Sequence, residues 1–388
     1  MKDSLNYYVY QNPVFRIIAR IIDSVGSFLF FCIRKNVPIN TQLVKRILVV
    51  RFDQLGDAFY ISPIFFHLKE KFPQAEIDVL CTEATRPIYS HNPYIHTIHT
   101  FPYTRFNQGR TSPSRRVEAS FKNIWQLIRT LRKGSYDVYI DPRGEPFISF
   151  LGICIGARYR VGILYEEVLS FLYTHVIRYH LQDPAWHRYR NMLALLGIKI
   201  STWKPQIFLT QEESKQISSL ITDITPRHFV AFHISAGHYF KMWPLDYFSH
   251  LAHTLYGRGY DIVLCGSASD KKFAKTVISL CPTIPIKDMT GSLSLRLCYA
   301  FLKYASLFVG NDSVLAHFAA SYDIPTVQLL NGGTSVQSCY ALGHHVVTLH
   351  GTDTSHQCSL VTCTYPCPHM KNIQPEIVFD ALRPFLKE

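Results

Sequence analysis

The sequence predicts an α/β protein of two domains, each built on a parallel, doubly wound sheet. Its 388 residues exceed one typical domain and fit two domains of roughly 150–200 residues. In the first half, a β-branched run, a helical pattern and a second apolar run follow one another, as in a βαβ unit. In the second half, the apolar run 306–309 leads into Asn311, Asp312 and Ser313, after which apolar residues recur at helical spacing.

The division of the chain follows from where these patterns lapse. Between 201 and 210 the periodicity is lost around Trp203, Lys204 and Pro205, and this stretch is the predicted linker. The predicted segments are an amphipathic helical extension at 1–44, a first domain at 45–200, and a second domain with a final helix at 211–388.

Composition limits the class of protein and its partners. Hydrophobic residues make up 47% of the chain and charged residues 18%, which excludes wholesale disorder. The 40 Lys and Arg residues against 28 Asp and Glu residues give a net charge of +12, so we expect an acidic partner: nucleic acid, anionic lipid or a phosphorylated substrate. The ten cysteines show no small-domain disulfide spacing, which favours a reducing, cytoplasmic compartment.

One cluster of potential metal ligands stands out. Cys358, Cys363, Cys367 and His369 lie close enough in sequence to hold zinc. Their spacing matches no zinc finger, so we predict no metal site here. The sequence alone does not decide whether these four residues bind a metal ion.

Residues 14–35 predict a helix that is apolar over most of its circumference. Its uninterrupted apolar run, 27–33, is too short for a transmembrane helix, which needs about 20 apolar residues. Two interpretations remain: a helix in the plane of a membrane surface with Arg34 and Lys35 at the headgroups, or a helix packed on the first domain. We favour the membrane surface.

The first domain opens with the strand 46–50 and a turn that ends at Asp57. This turn has a single glycine, Gly56, rather than the Gly-x-Gly-x-x-Gly of a dinucleotide fold, so it offers no evident pyrophosphate cradle. It presents the Asp57 carboxylate at the mouth of the strand instead. The alternative role for Asp57 is a helix N-cap.

A basic stretch and a second strand end complete the first domain. Residues 102–122 form either an arginine-rich binding segment or a solvated linker. The strand 136–140 ends at Asp141 and Arg143, again at a carboxyl end. The arginines of the basic stretch are Arg105, Arg110, Arg115 and Arg116.

In the second domain, small, polar and basic residues follow several predicted strands. Ser235 and Lys241 lie in a loop before Pro244; it lacks the Gly-Lys-Ser/Thr of a P-loop, but a lysine there can neutralise a diphosphate. Gly266 ends the next strand, and Asp270 could accept ribose hydroxyls.

The turn at 311–317 is the strongest candidate anion site. Asp312 and Ser313 stand between a strand and a helix that carries His317, where a carboxylate or hydroxyl can cap the helix and free N–H groups point outward. Doubly wound proteins hold anionic ligands at such turns. An ordinary capped helix is the alternative.

Five motifs in order resemble glycosyltransferase family 9, the ADP-heptose:lipopolysaccharide heptosyltransferases. The resemblance runs from about residue 45 to the C-terminal helix. The motifs are Arg51-x-Asp53-x-Leu55-Gly56-Asp57, Asp141-x-x-Gly144, Arg160-Val161-Gly162, Lys241-x-Trp243-Pro244, and Gly310-Asn311-Asp312-Ser313 with His317.

The resemblance implies a GT-B architecture, with two Rossmann-like domains facing a cleft, and an inverting transfer that needs neither cofactor nor metal. It implies that the first domain binds the acceptor, an acidic, lipid-linked glycan, at the surface of the cytoplasmic membrane. The second domain would bind the nucleotide-sugar, with ADP-heptose the expected donor. Asp57 would be the general base. The expected donor contacts are Ser235, Lys241, Gly266, Asp270, Asp312, Ser313 and His317, and the expected acceptor contacts are Arg51, Gly56, Arg105, Arg110, Arg115, Arg116 and Arg143.

Two departures from the family pattern bear on the donor sugar. Val314-Leu315 stands where the family has Gly-Pro or Gly-Leu, and His369-Met370 where it often has Cys-Met. Two other classes stay open: a basic nucleic-acid-binding protein, which the charge suggests although no binding motif or aromatic stacking run accompanies it, and a non-catalytic membrane-associated family member.

Overall fold

The computed structural model describes residues 21–26, 28, 38–103, 121–164, 169–178, 184–221, 228–333, 339–352, 363 and 365–387. The chain divides into two compact units between Trp203 and Lys204. Each unit contains a six-stranded, wholly parallel sheet with helical crossovers. The predicted α/β class is confirmed.

The N-terminal unit has the strand order β3-β2-β1-β4-β5-β6. Ile47, Leu48, Val49 and Val50 of β1 are fully buried, as expected of a central strand covered on both faces. The strands are β1 (Arg46–Arg51), β2 (Glu76–Cys81), β3 (Thr97–Thr100), β4 (Val138–Asp141), β5 (Tyr159–Leu164) and β6 (His175–Arg178), and the helices are α1 (Leu55–Tyr60), α2 (Ile64–Lys71), α3 (Arg86–Tyr89), α4 (Phe121–Arg132), α5 (Pro146–Cys154) and α6 (Ala185–Ala194).

The helical stretch that follows the first turn is broken in two. α1 ends at Tyr60 and α2 begins at Ile64, with Pro63 at the N-cap of α2. Proline has no N–H to donate and fits only the start of a helix, so it separates the two. α2 ends at Lys71, just before Pro73.

The C-terminal unit repeats the same topology with the order β12-β11-β10-β7-β8-β9. Relative to their own unit, β7 and β10 are the first and fourth strands, like β1 and β4. The strands are β7 (Phe229–His233), β8 (Asp261–Leu264), β9 (Lys287–Asp288), β10 (Leu307–Asn311), β11 (Thr326–Leu330) and β12 (Val346–His350), and the helices are α7 (Gln211–Ile221), α8 (Leu245–Tyr256), α9 (Lys271–Leu280), α10 (Leu295–Leu302), α11 (Val314–Ser321), α12 (Pro368–Lys371) and α13 (Pro375–Leu382).

The N-terminal extension is described only in part, as helical residues 21–26 and 28. The Oδ1 of Asp23 accepts the backbone N–H of Ser170 at 3.0 Å. Gly26 lies so close to the Phe171 ring that a Cβ would fall 2.3 Å from it. Part of the helix is therefore packed on the N-terminal unit, and the rest of 14–35 lies outside the described residues. None of the described helices is long and apolar enough to cross a bilayer.

Candidate active site

In both units, the strand order reverses between the first and fourth strands. Ligands of doubly wound folds bind in the crevice beyond the carboxyl ends of these two strands. In the N-terminal unit this crevice lies between the loops after β1 and β4, and in the C-terminal unit between the loops after β7 and β10. Nearly all the described residues predicted to form the site fall on or beside these four loops.

Lys241 and Asp312 form an ion pair in the C-terminal unit, with Lys241 Nζ 2.6 Å from Asp312 Oδ2. Their side chains are 25% and 14% exposed. The pair is thus reachable from solvent, and both groups can exchange their partner for a ligand. The ammonium group suits a phosphate, and the carboxylate suits sugar hydroxyls.

The first turn of α11 lies directly after Asp312. Ser313 occupies the N-cap position, but its side chain caps no backbone N–H, and its buried Oγ has no hydrogen-bond partner among the described residues. A helix start whose N–H groups receive no side-chain cap favours an anion. The predicted site at this turn therefore has a cation and a row of N–H donors side by side.

Asn311 holds this site together, and it is absent from the predicted contacts. The side chain is fully buried. Its Oδ1 accepts the backbone N–H of Trp243 at 2.8 Å, and its Nδ2 donates to the carbonyl of Ser235 at 3.2 Å. The Asn311 amide thus joins both ends of the loop after β7, which carries Lys241, to the end of β10. We call this loop the Lys241 loop. The sequence shows an Asn at the end of a predicted strand, but it does not show which residues that Asn contacts.

The Lys241 loop also depends on a distant segment of the chain. Trp243 is fully buried, and its Nε1 donates to the carbonyl of Ile373 at 2.7 Å. The hydroxyl of Tyr365 accepts the N–H of Leu245 at 3.1 Å. These contacts give the loop carrying Lys241 a fixed position.

Ser235 and His233 form a buried polar pair under the loop after β7. The Ser235 Oγ lies 3.3 Å from His233 Nε2. Burial lowers the pKa of His233 to about 4, so the ring is neutral at neutral pH. Ser235 and His317 are only 4% and 9% exposed, so any ligand contact they make is made from beneath the surface.

Asp270 has a structural use that was not predicted. Its Oδ2 accepts the N–H of Ser267 at 2.7 Å and the hydroxyl of Ser267 at 2.8 Å, forming a capping box. A Cβ at Gly266 would fall 2.6 Å from the same oxygen, so glycine is required there. The ribose contact assigned to Asp270 and the donor contact assigned to Gly266 stay predictions.

In the N-terminal unit, the crevice is filled by a network of buried charges. Asp53, whose side chain is fully buried, pairs with both Arg51 and Arg143. Arg51 also donates to the Tyr189 hydroxyl at 3.0 Å, and Arg143 contacts Glu145 at 2.5 Å. Arg51 and Arg143 are 4% and 7% exposed and hold the loops after β1 and β4 in place, and the acceptor contacts assigned to them stay predictions.

Asp141 fixes the second of these loops. Its Oδ1 accepts the backbone N–H groups of Arg143 at 2.9 Å and Gly144 at 2.8 Å, and its Oδ2 accepts the Tyr173 hydroxyl. Complete burial raises the pKa of Asp141 to about 7, above its ordinary range. The Arg160-Val161-Gly162 motif packs beside Tyr173, the partner of Asp141. A Cβ at Gly162 would lie only 2.3 Å from the Tyr173 ring.

Asp57 lies in the first turn of α1, at its third position. The N-cap is Gln54, so the helix-cap alternative for Asp57 is wrong. Its side chain stands at the positive end of a helix and is partly exposed, as is Gly56. A carboxylate at this position is accessible for proton transfer.

Some predicted residues lie outside the described residues, namely Arg105, Arg110, Arg115, Arg116 and Cys358. Of the Cys/His cluster, Cys363 and Cys367 have their sulfurs 4.0 Å apart, and His369 is packed against Gly332. Within the described part of the chain, no group of three or more potential ligands is arranged to hold a metal ion.

Comparison with known proteins places this arrangement. Residues 124–369 match the model of glycosyltransferase family 9 (heptosyltransferase). The chain is 29% identical to lipopolysaccharide heptosyltransferase 3 of Escherichia coli strain K12, over 71% of this chain and 79% of the relative.

Two solved Escherichia coli structures share the fold. ADP-heptose lipopolysaccharide heptosyltransferase II matches with a TM-score of 0.68 at 21% identity, covering 88% of this chain and 98% of that one. A heptosyltransferase solved with ADP matches with a TM-score of 0.65 at 17% identity, covering 88% and 99%.

Two Rossmann-like domains of this kind define the GT-B class of glycosyltransferases. The chain belongs to glycosyltransferase family 9 (heptosyltransferase), and it is an enzyme. The resemblance inferred from the motifs is thereby confirmed, and the nucleic-acid-binding alternative has no support. The family match begins at residue 124, beyond Asp57, so the role of Asp57 stays a prediction.

Proposed function

We propose that this enzyme transfers a heptose from ADP-heptose to an acidic glycan of the lipopolysaccharide core, with inversion at the anomeric carbon and without a metal ion. The observation that carries the proposal is the partly exposed Lys241–Asp312 pair at the start of α11. The ADP in one matching Escherichia coli structure and the lipopolysaccharide heptosyltransferase among the relatives support the choice of donor and acceptor.

The C-terminal unit supplies positive charge for the leaving group. As the bond between the anomeric carbon and the ADP oxygen breaks, ADP departs with the bonding electrons and gains negative charge. We propose that Lys241 and the first N–H groups of α11 meet that charge, and that Asp312 then accepts hydroxyls of the sugar; the partly exposed ion pair and the uncapped helix start support this. Fixed positive groups of this kind can do the work that a cation does in other transferases, which is why we propose that no metal is needed.

The N-terminal unit supplies the general base, Asp57. The acceptor hydroxyl oxygen forms its bond to the anomeric carbon from the face opposite ADP while Asp57 takes its proton. We propose that Arg51 and Arg143 position the loops around Asp57, and that Gly56 leaves room for the acceptor. Arg105, Arg110, Arg115 and Arg116 are proposed to grip its anionic groups.

We further propose that the enzyme is cytoplasmic and lies on the inner face of the membrane that holds its lipid-linked acceptor. The described part of the N-terminal extension supports this. One face of this helix contacts Ser170 and Phe171. The opposite face exposes the side chains of Ile21, Val25 and Phe28, which are 57%, 52% and 82% exposed. An apolar face of this kind suits the boundary between headgroups and acyl chains.

The direct test is a transfer assay with purified enzyme, lipopolysaccharide core lacking the terminal heptose, and a panel of ADP-, UDP- and GDP-sugars. We expect a product one heptose heavier by mass spectrometry, only with ADP-heptose, and unchanged in excess EDTA. In parallel, ADP should raise the melting temperature and UDP should not, since a ligand that binds the folded state stabilises it. Transfer from a UDP- or GDP-sugar alone, or loss of activity in EDTA, would contradict the proposal.

A further inference from the structure

Helix α4 carries an outward face that its fold does not use. Leu127 and Leu131 point into the unit, at 8% and 0% exposure. On the other side, Trp125 is 53% exposed, a large apolar surface to leave in water. The remaining exposed residues of interest on this helix and its end are the basic Lys122, Arg129, Arg132 and Lys133.

The helical geometry gathers these residues on one side. At about 100° per residue, Trp125 and the four basic residues fall within an arc of roughly 120°. No Asp or Glu occurs in α4. The Arg129 guanidinium lies 5.3 Å from the centre of the Trp125 ring, so the aromatic surface and the charges form one patch. We call Lys122, Trp125, Arg129, Arg132 and Lys133 the α4 patch.

The N-terminal unit exposes other apolar side chains besides Trp125. α4 and α5 pack on one hydrophobic cluster through residues such as Leu131 and Ile148. α5 exposes Phe150 at 46%. Its Ile153 packs on the cluster that contains Phe171, the ring against which the 21–28 helix lies. α5 thus shares one buried cluster with α4 and touches the cluster on which the 21–28 helix rests.

We propose that the α4 patch binds the anionic surface of a phospholipid bilayer, with Trp125 at the level of the headgroups. Tryptophan favours the membrane interface, and each nearby Lys or Arg gains free energy from an anionic leaflet. Charge complementarity and the exposed Trp125 ring among the basic residues favour a bilayer over a soluble anion. This inference rests on the proposed membrane association and names a second contact for it.

The experiment uses the full chain and vesicles. Flotation with phosphatidylethanolamine–phosphatidylglycerol vesicles is compared with flotation with phosphatidylcholine vesicles. We expect binding only to the anionic vesicles, and a partition coefficient lowered about 25-fold in Arg129→Ser/Lys133→Ser, at about fivefold per charge. Trp125→Ala should weaken binding further. Lys215→Ser/Lys275→Ser removes the same charge from exposed positions of the C-terminal unit and should bind like the wild type.

A second readout separates this inference from the proposed function. On a delipidated, water-soluble acceptor, the α4 variants should turn over like the wild type, because no residue of the α4 patch is among the predicted catalytic, donor or acceptor residues. If the wild type binds anionic vesicles through α4 but transfers no heptose, the proposed function fails and the inference stands. Unchanged vesicle binding in the α4 variants would overturn the inference. Loss of turnover on the soluble acceptor would overturn it too, because the patch would then bind the glycan.

Discussion

The crevice of the N-terminal unit is filled with buried charges, whereas in the equivalent crevice of the C-terminal unit the described residues include an ion pair that solvent reaches. Asp53, Arg51 and Arg143 are each less than 10% exposed, against 25% and 14% for Lys241 and Asp312. Both crevices come from the same strand order. Topology therefore fixes where a site can lie, and the solvent access of its charges decides whether they serve the fold or a ligand.

The largest expected effect comes from removing one carboxylate from each crevice. Asp53→Ala leaves two buried guanidinium groups without their shared partner, and we expect the unfolding free energy of the N-terminal unit to fall by about 3–5 kcal/mol. Asp312→Ala breaks a more exposed pair and should cost about 1 kcal/mol or less. Calorimetric unfolding of the full chain measures both. Equal losses would show that the two crevices do not differ in this way.

The pH dependence of stability sharpens the comparison further. The folded-state pKa of Asp141 is raised to about 7 by burial, so its stabilising contribution is complete below its unfolded pKa of about 4 and is lost as the pH rises through 7. We expect a loss of roughly 3–4 kcal/mol from the N-terminal unit between pH 4 and pH 8. Asp141→Asn keeps the shape without the ionisation and should flatten that slope in melting experiments. An unchanged slope would exclude Asp141 as its source.

The catalytic prediction for the N-terminal unit concerns Asp57. Asp57→Ala should lower turnover by a factor of about 10² or more, or about 3 kcal/mol in the barrier, while ADP affinity stays near that of the wild type. Glu83→Ala, which removes an exposed carboxylate of the same unit, should be neutral in the same steady-state assay. Near-normal turnover of Asp57→Ala would remove Asp57 from the role of base.

The smallest effect is expected in the C-terminal unit. Lys241→Ala should weaken ADP binding about tenfold by calorimetry, because one charged hydrogen bond to the diphosphate is lost at a partly solvated position. Lys275→Ala, on the exposed side of α9, is the matched control. Equal ADP affinity in both variants would assign the diphosphate to groups other than Lys241.

The strands and their carboxyl ends could be predicted from the sequence because β-branched runs report burial directly. The strand predicted at 46–50 is found as β1, Arg46–Arg51. Membership of the family could also be predicted from the sequence, because the family motifs are short and each lies within a few consecutive residues. The capping box of Ser267 and Asp270 could have been recognised from its spacing, and so could the separation of α1 from α2 at Pro63.

What the sequence could not give is the pairing of distant side chains. Asp53 meets Arg143 across 90 positions of the chain, and Asn311 meets Trp243 across 68. Neither contact produces a recurring pattern of residues that could be recognised in the sequence. The same residue types could have lain on a solvated surface, and only the folded structure shows that Arg51 and Asp53 are buried together.

The hydrogen bond from Trp243 to the carbonyl of Ile373 joins residues 130 positions apart. During synthesis on the ribosome, the loop that carries Lys241 emerges long before the segment that supports it. The N-terminal unit has by then been fully translated. The chain therefore completes the support of the Lys241 loop last, so under the proposed function donor binding would be the last property that the growing chain acquires.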